Sequence, residues 1–158
     1  NYAAWLQRYF VYKGFGTQLA PTSGSMGYGF PAAVAAKLEA PDKTVVCLAG
    51  DGCFQMTLNE LSTAAQHNAA VVVIVVNNGR YGTIRMHQEM HYPGRVSGTV
   101  LQNPDFAALA RAYGGFGAVV SEQSDFAPAF EAARASGQVA GIELKVDPRV
   151  LSTSKSLS

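Results

Sequence analysis

The chain has 158 residues, 48% of them hydrophobic and 15% charged, which suffices to bury one sizeable core and is too few for several domains. Twelve Lys and Arg stand against eleven Asp and Glu, spread along the sequence with a formal net charge of +1, which speaks against nucleic acid or anionic lipid as a partner. No apolar run approaches a membrane span, and the N-terminus does not read as a signal segment. Cys47 and Cys53 lie six apart, a spacing that matches neither a metal nor a redox pair, so both are expected as reduced thiols in a cytoplasmic protein. The sequence opens on Asn1 and not on Met, as expected of a piece of a longer chain.

In chain order, residues 31–40 (PAAVAAKLEA) predict an Ala-rich helix, with Pro31 in its first turn and Pro41 just past its end. Residues 44–49 follow as a short apolar strand. Residues 57–67 (TLNELSTAAQH) predict a second helix whose apolar face is Leu58, Leu61, Ala64 and Ala65. Residues 70–76 (AVVVIVV) carry no polar interruption, the pattern of a parallel strand covered on both faces. The rhythm breaks over residues 79–103, a stretch of some 25 residues carrying Gly, Pro, Arg and His that reads as a long loop, and such loops in compact domains are commonly functional. Helices at 105–113 and 125–135 and a closing strand at 140–146 complete the series. The alternation predicts an α/β fold, doubly wound, with a mostly parallel central sheet flanked by helices. The domain is expected over residues 1–151, with residues 152–158 as a flexible Ser-rich tail.

The sharpest local signal is Gly50-Asp51-Gly52, placed directly after the first strand. In open α/β sheets ligands sit outside the carboxyl ends of the strands, and glycines on either side let the backbone bend closely around one. The helix that follows offers its N-terminal N–H groups to an anion. A plain strand-to-helix turn with Asp51 as a cap is the competing reading. The second strand runs straight into Asn77-Asn78-Gly79, and neighbouring parallel strands bring both motifs to one edge of the sheet. A carboxylate with amide oxygens is a hard donor set that suits magnesium holding phosphate and does not suit zinc. The dinucleotide fingerprint G-x-G-x-x-G is absent, since Gln55 takes the third glycine's place, and no GK[ST] occurs.

The full pattern, GDG followed after 24 residues by NN, resembles the thiamine diphosphate signature. The stretch TQLAPTSGSMGYGFPAAVAAKL also resembles the strand, cofactor loop and first helix of the diphosphate-binding domain in acetolactate synthase-like enzymes. Likewise YGTIRMHQEMHYPGRVSGTVLQNPDFAALARAYG is similar to their mobile active-site loop and the helix after it. The resemblance is to the C-terminal, diphosphate-binding domain of thiamine diphosphate-dependent 2-oxo acid decarboxylases and carboligases. It implies that Asp51, the side-chain oxygen of Asn78 and the backbone carbonyl of Arg80 ligate magnesium. It implies that the backbone N–H groups of Gly52 and Cys53 behind Gly50, with Tyr81 and the Gly82 region, take the remaining phosphate charge. Met26 matches the bulky residue that bends the cofactor into a V, with Gly24, Ser25 and Met26 meeting its aminopyrimidine. The bend brings the 4′-nitrogen near the thiazolium C2 proton, so proximity favours its transfer.

The same resemblance implies a decarboxylation of a 2-oxo acid such as pyruvate with ligation to a second carbonyl, and alternatively simple decarboxylation of the benzoylformate type or a non-catalytic domain that keeps the fold. The substrate pocket falls at Thr83, Ile84 and His87. Ile84 stands where pyruvate decarboxylase-like members place a glutamate, and His87-Gln88 where acetohydroxyacid synthases often carry Trp-Gln. His87 is the one candidate here for proton relay. The family's activating glutamate belongs to the N-terminal pyrimidine-binding domain of a partner subunit, so these residues alone are expected to be inactive and the parent chain to form a homodimer or homotetramer. FAD, if bound, would occupy a middle domain outside this chain.

Overall fold

The computed structural model describes residues 2–154, 156 and 157; Asn1, Lys155 and Ser158, the last two in the predicted tail, lie outside the described residues. Four parallel strands form one sheet in the order β1-β2-β4-β3, with β1 at Val45–Gly50, β2 at Val71–Asn77, β3 at Phe116–Val120 and β4 at Ala140–Lys145. Before β1 come helices α1 (Tyr2–Tyr9) and α2 (Gly29–Glu39). Between β1 and β2 lie α3 (Asp51–Gln55), a 3₁₀ turn at Leu58–Glu60 and α4 (Leu61–Gln66). Helices α5 (Gly82–His91) and α6 (Phe106–Ala112) precede β3, and α7 (Gln123–Ala135) joins β3 to β4.

β2 explains why the sheet is covered on both sides. Side chains alternate across a strand, and Val71, Val73 and Val75 join Phe30, Ala33 and Val34 of α2, Phe54 of α3, Leu61 and Ala64 of α4 and Phe106 of α6 in one core. Val72, on the opposite face, packs with Val120, Ala140, Ile142 and Ala133, backed by Phe126, Ala129 and Phe130. Those α7 residues, at i, i+3, i+4 and i+7, form the single apolar stripe that a surface helix lays on a sheet. The predicted doubly wound α/β fold is the one observed.

Three local expectations are corrected, and two elements are new. Residues 57–67 are not one helix: the chain enters a 3₁₀ turn and then α4, so that Leu61 and Ala64 reach the core while α3 forms separately ahead of them. The 79–103 stretch is not a structureless loop, because ten of its residues form α5. The strand that resemblance places at the start of TQLAPTSGSMGYGFPAAVAAKL is not formed, residues 17–28 being irregular up to the start of α2. Finally β3 and α1 were not anticipated: β3 is a five-residue edge strand with one buried residue, Val120, and α1 has no buried residue to give it a periodic signature. The described part of the Ser-rich tail folds back, with Leu157 N–H donating to Arg149 O at 2.8 Å.

Helix α6 lies unusually close to β3 and β4, and glycine is the reason. A Cβ on Gly117 would stand 2.0 Å from the Ala107 carbonyl oxygen, and one on Gly141 would stand 2.9 Å from Ala110 Cβ. The obstruction at Gly117 is helix backbone and cannot swing aside. Gly117→Ala is therefore expected to destabilise the domain by about 1–3 kcal/mol, the range for overpacked cores, in urea unfolding followed by circular dichroism; an unchanged midpoint would contradict this packing.

Candidate functional site

The parallel register pairs Gly50 with Val76, so Asp51, the residue after β1, and Asn77, the last residue of β2, emerge side by side at the carboxyl edge of the sheet. Asp51 opens α3 and is only 3% exposed. A buried carboxylate needs several donors or a compensating cation. Its Oδ1 accepts from Gly52 N–H at 2.8 Å, and its Oδ2 accepts from Gly79 N–H at 2.8 Å and Asn103 Nδ2 at 2.7 Å. Among the described residues no Lys, Arg or His forms an ion pair with it. The turn reading of Asp51 accounts for the Gly52 and Gly79 bonds and leaves the buried charge without a counterion.

The neighbouring turn is shaped the same way. Asn78 Oδ1 accepts from Arg80 N–H at 3.2 Å, and Gly79 takes a positive φ of 66°, which glycine adopts without penalty. Arg80 pairs antiparallel with Val100, while the flanking bonds run from Tyr81 N to Thr99 O and from Leu101 N to Gly79 O. In such a pair the residue's own N–H and C=O face away from the partner strand. The Arg80 carbonyl is thereby turned to the side of Asn78.

Beside this edge lies a cavity of about 850 Å³ whose wall includes Gly24, Ser25, Met26, Gly50, Asp51, Gly52, Cys53, Asn78, Arg80, Tyr81, Gly82, Thr83 and Ile84. All three proposed metal ligands, every residue assigned to the cofactor and two of the three assigned to substrate thus share one space. The 24–27 loop reaches it through Gly24 and Gly27, with φ of 69° and 81°, and is pinned by Thr57 Oγ1 donating to Gly27 O at 2.9 Å. Glycine at 52 admits the Tyr81 ring, whose Cε1 would lie 2.5 Å from an added Cβ. Gly50 in turn admits the ring of Tyr2 from α1, 2.7 Å from the same hypothetical atom.

Three differences from the sequence reading stand out. His87 is exposed, its ring stacked on His91 at 6.4 Å, and it does not line the cavity. It belongs to α5, where Thr83 and Ile84 sit on the first turn and His87 stands a turn farther out, about 5 Å along the axis. The Gly52 N–H, assigned to phosphate, is engaged by the Asp51 carboxylate. Sequence reasoning also missed Asn103, Gln55 and Glu143. Gln55 Nε2 donates to Asn103 Oδ1 at 2.7 Å, Asn103 Nδ2 also donates to Asn77 Oδ1 at 2.8 Å, and Asn77 Nδ2 donates to Glu143 Oε1 at 2.6 Å. No spacing signal links positions so far apart.

Among the described residues no three His, Cys, Asp or Glu side chains gather as a metal-holding group, and no helix is long and apolar enough to cross a membrane. A parallel sheet with one oriented carboxylate, amide oxygens and a glycine-lined cavity at its carboxyl edge defines an α/β domain for a phosphorylated cofactor. Residues 1–144 match the family model described as the thiamine pyrophosphate enzyme, C-terminal TPP binding domain, and the chain belongs to that family. It is 40% identical over 129 residues to the acetolactate synthase isozyme 3 large subunit of Escherichia coli (strain K12), covering 78% of this chain and 22% of that protein. It is 50% identical over 93 residues to an acetolactate synthase of Arthrospira platensis, covering 58% and 16%. A thiamine diphosphate-dependent 4-hydroxybenzoylformate decarboxylase of Rhodococcus jostii RHA1 has the same fold, with a TM-score of 0.75, 38% identity and coverage of 80% of this chain and 24% of that one. The chain spans about a fifth of the length of the curated relatives it matches.

The two thiols differ in environment. Cys47 is 4% exposed, and burial, aided by Cys53, pushes its thiol up to about 12. Cys53 is half-buried on the cavity wall, 3.4 Å from the Tyr2 hydroxyl, which burial and this contact push well above the usual tyrosine range. Because the thiolate is the nucleophile, iodoacetamide at pH 8 is expected to label Cys53 and to spare Cys47 until the chain unfolds. Peptide mass spectrometry reads the ratio, and equal labelling in the native state would contradict this placement.

Proposed function

We propose that this chain provides the diphosphate half of a magnesium-thiamine diphosphate site. In the parent protein that site serves decarboxylation of a 2-oxo acid such as pyruvate and ligation of the product to a second carbonyl. The single observation that carries the reading is Asp51: a buried carboxylate, oriented by three donors, open to the cavity and without a cationic partner among the described residues. A carboxylate has about four acceptor positions, and three are filled. The fourth, with the Asn78 amide oxygen and the Arg80 carbonyl, is the oxygen set that magnesium takes beside phosphate.

When bound, thiamine diphosphate supplies the electron sink that loss of carbon dioxide requires. The chain's own residues hold and shape the site. Asp51, Asn78 and Arg80 anchor the metal, Tyr81 and Gly82 sit at the phosphate end, and Met26 projects from the 24–27 loop to hold the cofactor's bend. Thr83 and Ile84, on the first turn of α5, face the space left for substrate. Ile84 cannot exchange protons, so general acid-base work must come from another residue or from the cofactor itself.

Ligation is favoured over simple release because the two curated relatives given above, 40% and 50% identical, are acetolactate synthases. The Rhodococcus jostii decarboxylase supports the second reading, an aryl 2-oxo acid decarboxylase, and product analysis separates them: an acyloin means ligation, an aldehyde release. The activating glutamate would come from the pyrimidine-binding domain of a partner subunit in a homodimer or homotetramer. FAD, if used, would bind outside this chain. Two unpaired thiols fit a cytoplasmic setting.

Calorimetric titration of the full-length protein carrying this chain tests the reading. Thiamine diphosphate is expected to bind only with magnesium, and Asp51→Asn to weaken that binding by about 100-fold or more, equivalent to about 2.7 kcal/mol. Magnesium-independent binding, or an unaffected variant, would overturn it.

A further inference from the structure

We infer that Asn103 is a positioning residue for the metal-binding carboxylate and selects which Asp51 oxygen meets the cation. The inference rests on the magnesium reading above and concerns a residue outside the ligand set.

Both polar atoms of the Asn103 amide are engaged, and both of its N–H hydrogens are used. One Nδ2 hydrogen goes to Asp51 Oδ2 at 2.7 Å, the other to Asn77 Oδ1 at 2.8 Å, and Oδ1 accepts from Gln55 Nε2 at 2.7 Å. Its orientation is dictated from behind. Glu143, 0% exposed in the middle of the sheet, presents acceptor oxygens, so the Asn77 amide must turn its NH₂ toward Glu143, at 2.6 Å, and its oxygen toward Asn103. Asn103 must then present its NH₂ to Asn77 and Asp51. A flipped Asn103 would set oxygen against oxygen at both contacts.

The consequence for Asp51 follows from counting lone pairs. Oδ2 receives Gly79 N–H and Asn103 Nδ2, which fills it; Oδ1 receives Gly52 N–H alone. Oδ1 keeps the open position, so the carboxylate is held as a one-oxygen ligand. That mode suits magnesium, whose octahedral shell is small and strict, whereas calcium accepts both oxygens of a carboxylate. Asn103 also terminates the 79–103 excursion, whose ends are stitched together by the Leu101 N–H to Gly79 O bond at 2.8 Å. It therefore ties the Asp51 orientation to the seating of the segment that carries α5.

The test is calorimetric titration of Mg2+ and, separately, Ca2+ into the metal-free full-length protein in the presence of excess thiamine diphosphate, comparing wild type, Asn103→Ala, Gln55→Ala, the double variant and Asp51→Asn. Asn103→Ala is expected to weaken Mg2+ by about 10- to 100-fold, as loss of an outer-shell partner does, while Ca2+ falls less, so that the Mg2+ to Ca2+ preference narrows. Gln55→Ala, which removes only the grip on Asn103, should shift both in the same direction by a smaller factor and add nothing in the Asn103→Ala background; it also serves if Asn103→Ala does not fold. A merely structural role would lower both cations equally or neither, and either result overturns the inference. If Asp51→Asn abolishes binding while Asn103→Ala and Gln55→Ala keep the wild-type affinity and preference, this inference fails alone. If wild type shows no metal-dependent binding, the underlying reading fails and takes this one with it.

Discussion

A carboxylate at 3% exposure must be surrounded by donors, since leaving its charge without hydrogen bonds or a counterion costs several kcal/mol. Asp51 draws its three from three separate places: the next residue in its own helix, the turn after β2, and the residue just before the Pro104-Asp105 cap of α6. Satisfying one side chain therefore forces three segments, distant in sequence, to meet at one point on the sheet edge. The parallel register of β1 on β2 makes the meeting possible, because it delivers Asp51 and Asn77 at the same height.

Packing below that point keeps it there. Phe54, in the short helix that carries Asp51, is held edge-on between Phe30 and Phe106, with ring centroids 5.3 and 5.7 Å away. Phe106 opens α6, and α6 can sit low on the sheet only because Gly117 and Gly141 leave room for its backbone. The glycines of β3 and β4 thus bear on the sheet edge that carries Asp51 through an aromatic contact, although they do not line the cavity. Above the sheet the arrangement is looser. Met26 and Ile84 are half-exposed on the cavity wall, on the 24–27 loop and the first turn of α5. A rigid floor with an open wall suits a site that holds a cofactor constantly and exchanges substrates.

The opening toward solvent also carries charge. Asp147, on the cavity rim, hydrogen-bonds Arg149, which holds its carboxyl down at about 2, so the rim pair stays ionised across the physiological range. The pair is exposed and contributes little to stability.

Much of this molecule was legible along the chain. Uninterrupted apolar runs such as VVVIVV have one comfortable home, a parallel strand covered on both faces, and Gly-Asp-Gly and Asn-Asn directly after two such strands mark the edge where ligands gather. Short-range patterns carry that information because alternation, helical spacing and turn chemistry act over a few residues. The broken second helix, α5 within the supposed loop and the displacement of His87 from the cavity were beyond it, since each depends on which neighbour a segment packs against. So was the Glu143-Asn77-Asn103-Asp51 chain, whose members span 92 positions and whose directionality comes from hydrogen-bond donors facing acceptors across the folded sheet. The sequence by itself determined the fold class and the two motifs at the strand ends, because local sterics and burial dictate them. Only the tertiary structure decided how those motifs are oriented, because a buried carboxylate takes its geometry from its donors, and the fold alone brings two of the three within 3 Å.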